Sequence, residues 1–148
     1  MSVGVTHEPR IITQGVLDGD AVVYELFPLQ EVTFNGTSGT QLVPFPILDT
    51  EQYRRGVVSV MVKDGIKNPN ATLRVLIQNA VQTEDDPAVV FAQTQATVTI
   101  TSADGNESLS TATWAVVGPS GRLCFDWSQT SSGTVTTRLA VWLTLRAN

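Results

Sequence analysis

Few side chains in this sequence are of types that do covalent or metal chemistry. There is one histidine, His7, and one cysteine, Cys124. A serine or cysteine hydrolase holds its nucleophile within hydrogen-bond reach of a base, usually histidine. His7 sits in an aperiodic N-terminal stretch and reads as a solvated side chain, so no triad is expected, and Cys124 reads as small packed filler. Zinc sites draw on clustered Cys and His, and one of each separated by most of the chain makes no ligand set. No glycine-rich phosphate cradle of either common type occurs. The remaining candidates are carboxylates: "TEDDP" (Glu84, Asp85, Asp86), "LDGD" (Asp18, Asp20) and "ADGNE" (Asp104, Asn106, Glu107). Oxygen ligands of this kind suit calcium, but none of the three follows an EF-hand loop pattern, and each reads as a solvated loop. A glycosidase pair of acids would need a cleft that a small sandwich rarely supplies. The expectation is a protein with no catalytic residues, no cofactor and no metal.

Binding is the other chemistry to look for, and the segment "TTRLAVWLTLR" offers a candidate. Strand periodicity puts Leu139, Val141, Leu143 and Leu145 on one face and leaves Trp142 on the face that carries Arg138, Thr144 and Arg146. Trp and Arg are enriched at protein interfaces, so Arg138, Trp142 and Arg146 are read as a partner surface, with coverage of Trp142 by the chain's own N-terminal segment as the other reading. A sugar-stacking platform would use the same aromatic with Asn, Asp and Gln beside it, whereas this strand supplies Thr and Arg.

These residues need a scaffold, and the composition names its class. Val occurs 20 times and Thr 19 times, against two Lys and two Met, in 148 residues. β-Branched residues at that density fit a pleated, half-buried surface. A hydrophobic content of 42% fills one core without disulfides, which a single cysteine excludes within the chain. The net charge is -5, and the basic residues are scattered apart from Arg54-Arg55, so nucleic acid is not an expected partner. No basic and apolar leader opens the sequence, and no apolar run approaches the roughly 18–20 residues that span a bilayer, so neither secretion nor a membrane is expected.

Residues 1–20 show no sustained period and read as an extended arm, with residues 21–148 as one domain. Strand-type runs follow at 21–27, 30–34, 41–48, 56–63, 72–81, 88–92, 95–101, 109–117, 121–127 and 134–146. Asn35-Gly36, Asp64-Gly65, Asp104-Gly105 and Ser132-Gly133 stand between runs and predict hairpins, with "KDGIKNPNA" the clearest of them. Pro44 and Pro46 mark 41–48 as an edge or irregular segment. One helical turn is expected over "DTEQYRRG". Alternation assigns Val58, Val60 and Val62, then Leu73, Val75 and Ile77, then Val98 and Ile100, then Leu123, Phe125 and Trp127, and finally Leu139, Val141 and Leu143 to the core, and Trp114 to an inward face. The predicted fold is all-β: an antiparallel β-sandwich of jelly-roll type with an extended N-terminal arm.

The stretch from Asp49 to Ala92, "DTEQYRRGVVSVMVKDGIKNPNATLRVLIQNAVQTEDDPAVVFA", set behind an arm and within a Thr/Val-rich sandwich, resembles the small jelly-roll decoration (cement) or minor head proteins of tailed bacteriophage virions. That resemblance implies a non-enzymatic structural protein of the virion, assembled in a host cytoplasm. It would bind the major capsid protein and copies of itself, often as a trimer. Arm residues Val3, Val5, Ile11, Ile12, Val16 and Leu17 would then contribute to the interface together with the Trp142 face. A carbohydrate- or receptor-binding module, such as a tail-fibre domain, is the alternative.

Overall fold

The computed structural model describes residues 10–14, 21–42, 48–49, 53–80, 93–114, 120–130 and 133–147. They form ten strands: β1 (Arg10–Gln14), β2 (Ala21–Asn35), β3 (Ser38–Leu42), β4 (Leu48–Asp49), β5 (Arg55–Asp64), β6 (Ala71–Ala80), β7 (Gln93–Thr101), β8 (Ser108–Trp114), β9 (Ser120–Gln129) and β10 (Thr134–Arg146). One sheet, here sheet A, has the order β1-β2-β10-β5-β8; the other, sheet B, runs β3-β9-β6-β7 with β4 also on β9. Every pairing is antiparallel.

Setting β1 aside and counting β3 and β4 as two pieces of one strand leaves eight strands with a simple rule. The first pairs with the last (β2 with β10), the second with the seventh (β3 and β4 with β9), the third with the sixth (β5 with β8) and the fourth with the fifth (β6 with β7). This is one long hairpin rolled into two layers, the jelly roll expected from the sequence. Part of the expected arm, Arg10–Gln14, is an edge strand on β2. Val3, Val5, Val16 and Leu17 lie outside the described residues.

The predicted inward sets meet between the sheets, where Val58, Val60, Val62, Leu73, Val75, Ile77, Leu123, Phe125, Leu139, Val141 and Leu143 are buried, as are Val98, Ile100, Trp114 and Trp127. Aromatic contacts join the layers. Phe27 of β2 meets Phe125 of β9 edge-on with ring centroids 5.2 Å apart, and Phe34 stacks on Trp127 at 4.6 Å. Gly39 pairs with Trp127 across β3 and β9, and the indole occupies the space that a Cβ at Gly39 would need.

Several expectations are corrected. The runs 21–27 and 30–34 are one strand, β2, because Pro28 does not end it. Gln30 pairs with Leu139 and Phe27 with Val141, so Pro28 and Leu29 together oppose Ala140 in a bulge where a missing N–H is tolerated. The helical turn expected over 49–56 is absent at its described residues, since Asp49 belongs to β4 and Arg55 to β5. A single 3₁₀ turn occurs elsewhere among the described residues, at Ser102–Asp104, capped reciprocally by Thr101 and Asp104. The run 88–92 lies outside the described residues.

The larger correction concerns the four expected hairpins. Asn35-Gly36 connects β2 in sheet A to β3 in sheet B; Asp64-Gly65 connects β5 to β6; Asp104-Gly105 connects β7 to β8; and Gly133 precedes β10 after β9. All four carry the chain from one sheet to the other. Turn chemistry dictates that the chain reverses, but whether the next strand joins the same sheet is decided by where its partner lies.

These crossings gather at one end of the sandwich, and a buried amide ties them together. The Gln129 side chain donates through Nε2 to the carbonyls of Gly36 and Gly133, and its Oε1 accepts from Asn68 Nδ2 at 3.0 Å. Its backbone N–H donates to Thr37 O at 2.8 Å. Beside it, Thr137 donates to Asp64 O at 2.7 Å, and Gly65 N donates to Asn106 Oδ1 at 2.8 Å. The β5–β6 and β7–β8 crossings touch backbone to backbone, for a Cβ at Gly65 would fall 2.7 Å from Gly105 O.

Two stability predictions follow from this packing. Gln129→Leu removes a buried amide that hydrogen-bonds to three crossings whose own groups can turn to water, so urea denaturation should show a loss of about 1–3 kcal/mol. Gly39→Ala forces the Trp127 ring off Phe34 and should cost about 1–3 kcal/mol, with a change in the near-UV circular dichroism of the aromatic cluster.

Candidate interface on the outer face of sheet A

The ADGNE side chains are engaged inside the fold. Asp104 Oδ2 accepts from Thr101 N at 2.7 Å, Asn106 accepts from Gly65 N, and Glu107 pairs with Lys63. The Lys63 ammonium holds the Glu107 carboxyl below its ordinary pKa. Glu107 itself has a φ of 56°, and its N–H donates to Lys63 O. No group of three or more His, Cys, Asp or Glu positioned for a metal occurs among the described residues. Asp18, Asp20, Glu84, Asp85, Asp86 and His7 lie outside them.

Cys124 is buried on the outer side of sheet B, opposite Leu76 of β6. Burial pushes its thiol pKa up, with a smaller opposing effect from Arg122. A raised pKa depletes the thiolate, which is the reactive form. The rest of that face is tied up by polar pairs: Arg74 with Asp126, Arg122 Nε with Gln78 Oε1 at 2.8 Å, and Gln78 Nε2 with Thr94 at 3.2 Å.

Sheet A presents a different outer face. The β2–β10–β5–β8 register lays its outward residues in rows. One row is Glu25, Trp142, Ser59 and Thr111. The row on one side is Val23, Thr144, Val57 and Thr113, and on the other side Leu29, beside Pro28 in the bulge, is followed by Ala140, Met61 and Leu109. Leu29, Val57 and Leu109 are the large apolar side chains left exposed among the described residues, Leu109 most of all at 64%. All three fall in the rows flanking the half-buried Trp142, whose own row is otherwise polar. Its indole Nε1 is buried and has no hydrogen-bond partner.

Arg138, Trp142 and Arg146 do share this face, but they form a line and not a point. Four-residue spacing along a strand separates neighbours by about 13 Å. Arg138 stands at the crossing end, opposite Glu31 on β2 and Asp64 on β5. Arg146 stands at the far end, directly opposite Arg55 and hydrogen-bonded through its carbonyl to Arg54 N at 2.9 Å. Like charges directly opposite each other are destabilising in a sheet. The sequence alone did not show the row from Leu29 to Leu109, because those residues are brought together only by strand register; Pro28 within a strand-type run was the one local signal.

At the crossing end, Glu31, Asp64, Lys67, Asn68, Asn106, Thr136 and Arg138 are among the residues that line an open cleft of about 540 Å³. It is polar, and no aromatic ring is among its lining residues. Sugar binding by stacking would need such a ring.

No family model matches this chain, and no curated protein matches it in sequence. Solved structures resemble it in fold. That of infectious bursal disease virus, Gx strain, superposes with a TM-score of 0.54 at 8% identity, covering 98% of this chain and 37% of the viral one. The VP2 subviral particle of the same virus gives 0.48 at 10% identity, with 86% and 33% covered. Tripeptidyl peptidase 2 gives 0.48 at 15% identity, with 95% and 10% covered. The chain thus spans about a third of the viral chains and a tenth of the peptidase. At these identities the likeness is one of fold.

The state of Cys124 is directly measurable. A disulfide reagent such as DTNB should leave the native protein unlabelled over the time in which the denatured chain releases one thiol. Equal rates in the two states would place Cys124 at the surface.

Proposed function

We propose that this chain is a non-enzymatic structural protein of a virus particle, one that binds the shell as a decoration protein through the outer face of sheet A. The observation that carries this reading is the set of exposed Leu29, Val57 and Leu109 in the rows beside Trp142, with arginines at both ends of its strand, on a chain of net charge -5. Buried aromatic and Arg anchors inside a polar rim are what stable protein interfaces use. The eight-strand pairing order supports it, since jelly rolls of this kind recur in viral capsid and lectin domains, and the fold likeness to a virus structure points the same way. Nothing in the polar cleft favours the lectin branch.

The size of the face assigns a part to the arm. Five strands at about 4.8 Å spacing and a patch of about three rows present only a few hundred Å², against about 800 Å² per partner in a standard interface. Arm residues such as Val3, Val5, Ile11, Ile12, Val16 and Leu17 would supply apolar area beyond that, at about 25 cal/mol per Å² less the cost of ordering the segment. The partner is then the major capsid protein.

The test is sedimentation of the native source in a density gradient, with the chain quantified by mass spectrometry. It should travel with a large particle at tens to hundreds of copies. Trp142→Ala, Arg146→Glu and deletion of residues 1–9 should each release it to the soluble fraction while circular dichroism stays native. A wild-type chain that remains at the top of the gradient ends the capsid reading.

A further inference from the structure

Three exposed arginines, Arg54, Arg55 and Arg146, gather at the end of sheet A that lies away from the crossings. Arg55 of β5 and Arg146 of β10 are direct partners across the ladder, and both lie on its outer face in step with Val57 and Thr144. Arg54 is tied to them by its backbone N–H, which donates to Arg146 O at 2.9 Å. On the other side of Arg146 the register places Ala21 and not an acid. None of the three makes an ion pair with a described residue, whereas Lys63 pairs with Glu107, Arg74 with Asp126, and Arg122 Nε with Gln78 Oε1. Lys67 and Arg138 likewise form no such pair, but they line the polar cleft together with Glu31 and Asp64.

We propose that this end of sheet A binds carboxylate side chains of a protein partner. Residues directly opposite in an antiparallel ladder have Cα atoms about 4.5–5.5 Å apart, so two guanidinium groups there can close on one oxyanion. A carboxylate between them replaces a like-charge contact with charge-assisted hydrogen bonds, and the planar guanidinium fork fits it bidentately. Arg54, next to Arg55 in the chain, adds a third positive charge.

A phosphate would satisfy the same forks, and the neighbouring surface decides between the two. The next outward row along the strands holds Thr144, Val57 and Thr113, with Val57 38% exposed, and Trp142 and Ser59 stand in the row beyond. Alternate residues on a strand are about 6.7 Å apart. An extended segment with an acidic and an apolar residue two positions apart therefore covers the arginine pair and Val57 together. A phosphodiester backbone or a free phosphate brings nothing apolar to Val57. The occupant is thus an acidic, partly apolar segment of a protein. This inference rests on the reading of the outer face of sheet A as an interface, and it adds the chemistry of what the partner presents there.

The probe is an acetylated and amidated peptide with Glu and Leu two positions apart, titrated into isotope-labelled full-length protein while the arginine Nε–H resonances are followed. Those of Arg55 and Arg146 should shift and saturate with a dissociation constant of about 0.1–5 mM, as suits so small a contact. Replacing Glu by Gln in the peptide should weaken binding at least about tenfold. Arg55→Gln combined with Arg146→Gln should do the same while circular dichroism stays native, because both side chains are exposed. Equal binding of the two peptides overturns the proposal, and so does the absence of any shift up to about 20 mM peptide. Inorganic phosphate that shifts the same resonances at a lower concentration than the peptide also overturns it, in favour of a phosphate ligand. If the double variant fails to fold, the two peptides compared on the wild-type protein decide alone. A chain that takes the peptide but never travels with a particle keeps this site and loses the capsid role. One that travels with the particle and ignores the peptide keeps the role and loses the site.

Discussion

The buried side chain of Gln129 ties together three of the places where the chain changes sheets, all at one end of the sandwich. In a rolled hairpin strands adjacent in sequence sit in opposite layers except at its tip, here β6 and β7, so each crossing leaves backbone groups that no ladder can satisfy. One amide donates to the carbonyls of Gly36 and Gly133 and accepts from Asn68, which closes three crossings at one point. The β7–β8 crossing at the same end is held through Asn106 on Gly65. Polar residues at this end therefore have structural work to do, which explains why a cluster rich in Asn, Asp and Thr need not be a binding site.

The alternation of apolar residues made the core legible. Every side chain that period two assigns inward in β5, β6, β9 and β10 is buried, because one face of each strand meets the opposite sheet and a one-residue slip would expose the whole set. Topology was legible only as a class. Asp64-Gly65 carries the same local chemistry whether the chain returns along the same sheet or crosses to the other. What distinguishes the two is the pairing of β5 with β10 and β8, partners that lie far along the chain. The split at Pro28 failed for a related reason: proline forbids a ladder donor but not a bulge, and only the β2–β10 register shows that a bulge exists.

The interface was half legible. A tryptophan on the polar side of a strand is visible in one segment, and its isolation there is informative. The patch around it is not visible, since Leu29, Met61 and Leu109 come from three strands and become neighbours only through register. Arg55 and Arg146 likewise look unrelated in sequence and stand face to face in the sheet. No ion pair to a described residue offsets their repulsion, whereas Arg74 and Asp126 on sheet B are matched with each other. Sheet A matches Lys63 with Glu107 in the same way, and Arg55 and Arg146 stand out against that background as the facing pair on which the proposed interface rests.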